Sequence, residues 1–169
     1  MKKIFFCAAI LGGWIFFTQN AMALTISPPI FEIGANPGDN PMQNIKLLNE
    51  TNSLVTVYSS TANFTADDSE EGAPKFLENQ YNENTLANWI EIDKNPIEIL
   101  PGEQKLIPFT IHVPANADPG GHYAVVFFGN QPSMAQGGSI GLSGKLGTLI
   151  LLTVAGDIVE QGRIVSFDL

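Results

Sequence analysis

The sequence predicts an all-β fold, an antiparallel β-sandwich of about seven to eight short strands. Three observations predict it. Apolar residues recur with a period of two, as in Ile107, Phe109, Ile111 and Val113, which is the repeat of a strand with one buried face. Clusters of Pro, Gly, Asn and Asp separate these runs, as in Ala35 to Asp39, Asn49 to Asn52 and Pro114 to Gly121; this is turn chemistry. No stretch beyond residue 23 carries an apolar stripe at helical spacing over three turns.

The chain opens with an export-type leader. Lys2 and Lys3 precede the apolar run Ile4 to Phe17, and Ala21-Met22-Ala23 forms a small-x-small cleavage site before Leu24. The run is shorter than the ~20 residues of a spanning helix. Residues 1–23 are therefore expected to leave as a signal peptide. Residues 24–156 are expected to form the sandwich domain, and 157–169 the start of a further strand or of a second domain. The single cysteine, Cys7, lies in the leader, so the remainder has no disulfide, thiolate metal ligand or cysteine nucleophile. The formal net charge is −9, and losing Lys2 and Lys3 makes the remainder more acidic still. An acidic surface repels nucleic acid and anionic membrane. Neither is expected as a partner, and any membrane attachment would run through a segment not present in this chain.

The strands follow in order. Leu24 to Ile33 is broken by Pro28-Pro29, so it reads as an edge strand that kinks or switches sheets. Ile45 and Leu47 alternate with Asn44 and Lys46, and Leu54 to Phe64 is a longer β-rich run. Thr65 to Leu86 is polar and acidic without a period, which predicts a long loop with at most one helical turn. Trp89 to Ile92 and Ile97 to Ile99 are short runs. Leu106 to Val113 alternates, and Pro108 places it at an edge or at a position that donates no ladder bond. Tyr123 to Phe128 is apolar on both faces, as in a central strand covered on both sides. The turn between these last two runs reads as joining them in a core hairpin. Gly129 to Gly147 is Gly- and Ser-rich, and Thr148 to Ala155 is a further apolar strand. Trp89, Phe109, Tyr123 and Phe127 are the expected structural anchors. Tyr123, heading a strand just after Asp118-Pro119-Gly120-Gly121, fits either a tyrosine corner, its hydroxyl bonded to the turn backbone, or a core tyrosine.

The residues that carry chemistry are few. His112 and His122 are the two histidines, and without a defined third ligand they make a weak metal pair. Ser139 to Leu146 lacks the first glycine and the final Ser or Thr of a phosphate loop and leads into a strand. Asp67, Ser69, Glu71, Gly72 and Glu78 match the spacing of a calcium-binding loop, but Pro74 and Lys75 interrupt it and helices do not flank it. The default is a solvated acidic loop. Phe76, Tyr81 and Trp89 lie in or near that segment, where aromatic faces suit sugar rings or partner side chains. No acid, base and nucleophile set assembles, so no enzyme and no cofactor are expected.

A set of turn and core positions carries a resemblance. It comprises LTISPPIFEI at 24–33, Pro37-Gly38, IKLLN at 45–49, Asn63-Phe64, Trp89-Ile90, LPGE at 100–103, VPANA at 113–117 and PGGHY at 119–123. Together with the leader, these resemble the N-terminal immunoglobulin-like domain of exported bacterial envelope proteins. The WxL-interacting, peptidoglycan-binding type of domain is the nearest kind, and the periplasmic pilus-chaperone sandwich is more distantly similar. The resemblance covers most of 24–155. It implies an exported structural or interaction module, at the cell surface or in the periplasm, that binds an envelope protein or cell-wall glycan. The alternative it implies is a periplasmic chaperone-like module acting by β-strand donation.

Overall fold

The computed structural model describes residues 24–66, 74–77, 85–130 and 145–157. The leader, the calcium-type positions Asp67, Ser69, Glu71 and Glu78, Tyr81, Ser139 to Gly144 and the run from residue 158 lie outside the described residues.

Ten strands and one helical turn form two layers. The strands are β1 (Leu24–Ser27), β2 (Ile30–Ala35), β3 (Met42–Asn49), β4 (Val55–Ala66) and β5 (Pro74–Leu77), then β6 (Ile90–Ile92), β7 (Ile97–Ile99), β8 (Gln104–Ile111), β9 (Gly120–Gly129) and β10 (Leu146–Val154). The helical turn, α1, is Leu86–Trp89. One sheet has the order β1-β3-β8-β6; the other runs β2-β10-β9-β4-β5, with β7 also on β4. The fold is the sandwich that the alternation predicts and of the immunoglobulin-like form that the resemblance implies, with one parallel pair, β2 on β10. The strand count exceeds eight because the first strand divides at Pro28-Pro29, and because β7 and β5 attach to opposite ends of the long β4.

The core lies between the layers. Ile45, Leu47, Ile107, Phe109 and Ile111 come from the four-stranded sheet, and Ala124, Val126, Phe128, Ile150, Leu152 and Val154 from the other. Phe31 meets Phe109 edge-on across the layers, at 5.3 Å between centroids. Leu86, Ala87 and Trp89 of α1 are buried in the same core. The helical turn is tied down where the Asn63 Oδ1 accepts the Ala87 N–H at 2.9 Å.

The hairpin expectation is corrected, and of the two alternatives for Pro108 the position that donates no ladder bond holds. Strands β8 and β9 do not form a hairpin, since β8 pairs with β3 and β6 while β9 pairs with β4 and β10. The 114–119 segment is an arch between sheets. Its Pro, Asn, Asp and Gly residues suit an arch as well as a hairpin turn, and packing decides between them. Strand β8 is also not an edge strand. Pro108 is tolerated because β6 is only three residues long and pairs with Phe109 to Ile111, stopping short of it.

Asn49 is the polar joint of the four-stranded sheet. It is fully buried. Its amide donates to the Ser53 and Ile99 carbonyls at 2.8 and 2.9 Å. Its Oδ1 accepts from the Thr51 N–H and hydroxyl at 2.9 and 2.7 Å. Its backbone N–H donates to the Glu103 carbonyl, and its carbonyl accepts from Gly102 N–H. Gly102 holds φ +73°, which a turn tight enough to present that N–H requires.

Asn49→Leu keeps the volume and takes the side-chain partner from the buried Ile99 carbonyl and the part-buried Thr51 N–H, while the Ser53 carbonyl keeps the Thr51 hydroxyl. It is expected to lower unfolding free energy by about 3 kcal/mol or more in chemical denaturation, whereas exposed Asn95→Ala stays within about 1 kcal/mol. Phe109→Ala is expected to cost about 3–5 kcal/mol in the same measurement.

Candidate interaction surface

A strand covered on both faces needs apolar cover on both. On the inner side of β9 the opposing sheet supplies it. On the outer side the six-stranded sheet builds its own. Register sets side chains of neighbouring strands in rows. Ile30, Leu149, Val125 and Ala62 are successive cross-strand partners on β2, β10, β9 and β4. The adjacent rows are Glu32, Leu151 and Tyr123 on one side and Gly147, Phe127 and Ser60 on the other. All of these face away from the core, because they alternate with the inner-facing Ile150, Leu152, Ala124 and Val126.

This outer layer is packed. Val125 is 1% exposed and Phe127 6% exposed, although neither faces the sandwich interior. Phe76 stands edge-on to Phe127 at 5.2 Å between centroids, Phe64 to Phe76 at 6.3 Å, and Tyr123 is tilted against Phe64 at 5.8 Å. Lys145 places its ammonium 6.0 Å from the Phe127 ring centroid, at the outer limit of cation–π attraction. Gly147 is required by the close approach of this layer. A Cβ there would lie 3.0 Å from two Phe127 ring carbons and from a Val125 methyl. The layer ends in partly open apolar groups, with Ile30 and Tyr123 each 46% exposed.

Aromatic content, not charge, separates this face from the other outer face, since each carries one carboxylate and one lysine among the described residues, Glu32 and Lys145 here and Glu91 and Lys46 there. Among these outer-facing residues Glu32 is the one carboxylate, in a chain of net charge −9. On the four-stranded sheet, exposed Met42 and Leu106 are interleaved with Asn44, Lys46, Gln104 and Thr110. That is an ordinary solvated face. Aromatic enrichment is one mark of an interface centre.

The anchor and histidine positions fall as follows. Trp89 ends α1 in the core, and His122 tilts over it at 4.7 Å between centroids, with its Nε2 2.9 Å from the Asp118 carbonyl. Tyr123 is not a core residue, and its hydroxyl makes no hydrogen bond to the described residues. Its ring folds over Gly121 on the outer face, because β9 alternation turns position 123 outward. His112 lies with Nδ1 2.7 Å from Asn40 Oδ1 and Nε2 2.6 Å from Glu91 Oε2. Both ring nitrogens are therefore engaged in joining the 36–40 turn to β6. His112 follows the end of β8 in one sheet, and His122 lies on β9 of the other. Among the described residues no three His, Cys, Asp or Glu side chains gather as a metal site would need.

The doubly apolar pattern of β9 announced the outer layer in the sequence. Its other contributors, Phe64 and Phe76, were hidden by their place in or beside a segment without a period.

No protein-family model and no curated protein matches the sequence. Solved structures match in fold. A PapD-like domain of human CEP192 superposes with a TM-score of 0.51 at 11% identity, covering 80% of this chain and 87% of that one. The class 5 fimbriae chaperone CfaA gives 0.50 at 12% identity, covering 81% and 59%. A chain from the CsuC–CsuE complex of chaperone and tip adhesion subunit from Acinetobacter baumannii gives 0.50 at 16% identity, covering 79% and 58%. The chain thus spans somewhat over half the length of the chaperone chains and most of the CEP192 domain. Its sandwich is similar in fold to these PapD-like and chaperone domains.

Proposed function

We propose that this chain is an exported, non-catalytic module that binds a protein of the cell envelope through the outer face of its six-stranded sheet. One observation carries the reading: the packed aromatic layer that ends in half-exposed Ile30 and Tyr123. Export rests on the leader motif at residues 1–23. The absence of catalysis is supported by the histidine geometry, in which His112 is bridged by Asn40 and Glu91 and His122 caps Trp89. A protein is favoured over a wall glycan because Phe64, Phe76 and Phe127 pack edge to face on one another. Sugar stacking needs an open ring face.

Strand donation is the second reading, favoured by the likeness to the fimbriae chaperone CfaA. Against it stands the pairing of β10, whose edge is occupied by β2 from Leu149 to Val154.

The test is retention of envelope proteins and of purified peptidoglycan by the immobilised chain at low salt. Tyr123→Asp is expected to weaken protein retention by about 30-fold, the scale of an interface aromatic. Leu106→Asp, on the opposite outer face, leaves it unchanged. Equal retention by both variants, or retention of glycan alone, overturns the proposal. A captured protein that aggregates once released supports strand donation instead.

A further inference from the structure

Strand β2 ends the six-stranded sheet, and among the described residues no strand pairs with its far side. The ladder shows which backbone groups that side presents. Leu149 N–H donates to the Pro29 carbonyl and Ala155 N–H to the Ala35 carbonyl, both at 2.9 Å. With the parallel register between these two bonds, Phe31, Ile33 and Ala35 turn their polar groups to β10. The N–H and C=O groups of Ile30, Glu32 and Gly34 therefore point away from the sheet. Such a row is a template for another strand.

Gly34 marks what approaches it. It is extended, with no left-handed φ, and a Cβ built on it meets nothing within 4 Å among the described residues. Nothing inside the fold calls for glycine at a position where it weakens the strand. A glycine in a strand without an internal reason marks the close approach of another chain. Elsewhere on this face glycines are covered by aromatic rings, Gly147 by Phe127 and Gly121 by Tyr123. Gly34 lacks such cover. Glu32, two residues away on the same face, is exposed and has no ion pair among the described residues.

We infer that the free edge of β2 receives an extended segment of the partner protein, added antiparallel as a further strand. The segment carries an aromatic residue opposite Gly34, a lysine or arginine opposite Glu32 and an aliphatic residue opposite Ile30. Its alternate side chains turn inward, toward half-buried Phe31 and Ala35. Main-chain bonds supply affinity, and the side-chain order supplies selectivity. This deepens the protein-binding reading and rests on it, because the added strand would extend the row that begins at Ile30.

The probe is a short synthetic peptide containing Phe-Val-Lys-Val-Ile, compared with a scrambled peptide of the same composition, on the purified full chain. Binding is read by fluorescence anisotropy, and its location by amide hydrogen exchange. The expected result is selective binding of the ordered peptide, with exchange at Ile30, Glu32 and Gly34 slowed about tenfold or more. Gly34→Val is expected to fold with an unchanged or higher Tm, since its side chain enters open space, and to weaken the peptide by about tenfold or more. Glu32→Lys is expected to shift preference to the peptide with Glu in place of Lys.

Equal binding of ordered and scrambled peptides, or affinity indifferent to Gly34→Val, overturns the inference. So does slow exchange at these three amides in the chain alone, which would mean that the chain already covers its own edge. If the peptide fails while Tyr123→Asp still abolishes protein retention, the edge site falls and the outer-face reading stands. If the peptide binds and no envelope protein is retained, the reverse holds.

Discussion

The structure depends on one crossing. The chain enters in the four-stranded sheet, where β1 pairs with β3, and passes at Pro28-Pro29 into the other sheet, where β2 pairs with β10. Two prolines bring no N–H to satisfy, so only their carbonyls need partners. Consecutive residues of β10 supply them: the buried Thr148 hydroxyl donates to the Pro28 carbonyl at 2.7 Å, and Leu149 N–H donates to the Pro29 carbonyl at 2.9 Å. The crossing therefore laces the two layers along one side without leaving a buried polar group unmet.

What the crossing covers and what it uncovers follow together. With β2 in place, β10 has a neighbour on each side, and its outward Leu149 and Leu151 become the middle of an apolar row instead of its margin. Ile30 then forms the margin. Among the described residues, the same pairing that removes β10 as an edge leaves β2 as one, with its ladder groups at Ile30, Glu32 and Gly34 turned outward. The outer aromatic layer and the free edge are thus two consequences of a single change of sheet.

Much of this was legible in residue order. The period of two gave the buried faces of β3 and β8, and Pro28-Pro29 announced the switch between sheets. The apolar character of Tyr123 to Phe128 on both faces announced that β9 would be covered twice. Other features depended on distance along the chain. The 114–119 arch has the composition of a hairpin turn, and only the pairing of β8 with β3 and of β9 with β4 separates the two. Pro108 reads as an edge residue because sequence does not show that β6 ends one residue short of it. Phe76 sits among polar residues, so its packing on Phe127 carries no periodic signal. Position 123 shows the limit of alternation: it fixes that Tyr123 shares a face with Val125, but not that this face points outward.

The distribution of charge ties the outer layer to recognition. A chain of net charge −9 repels most acidic proteins at a distance. On the outer face the described carboxylate is Glu32, at the free edge, while the aromatic centre at Tyr123, Phe64 and Phe127 carries none. An approaching partner thus pays little to desolvate charge at the centre, where apolar contact yields most. It meets a carboxylate only where a basic residue can answer it. In the proposed binding mode the charge at Glu32 selects the pose, and the apolar layer adds to the affinity of the main-chain bonds. A uniformly charged face would gain solubility and lose this division of labour.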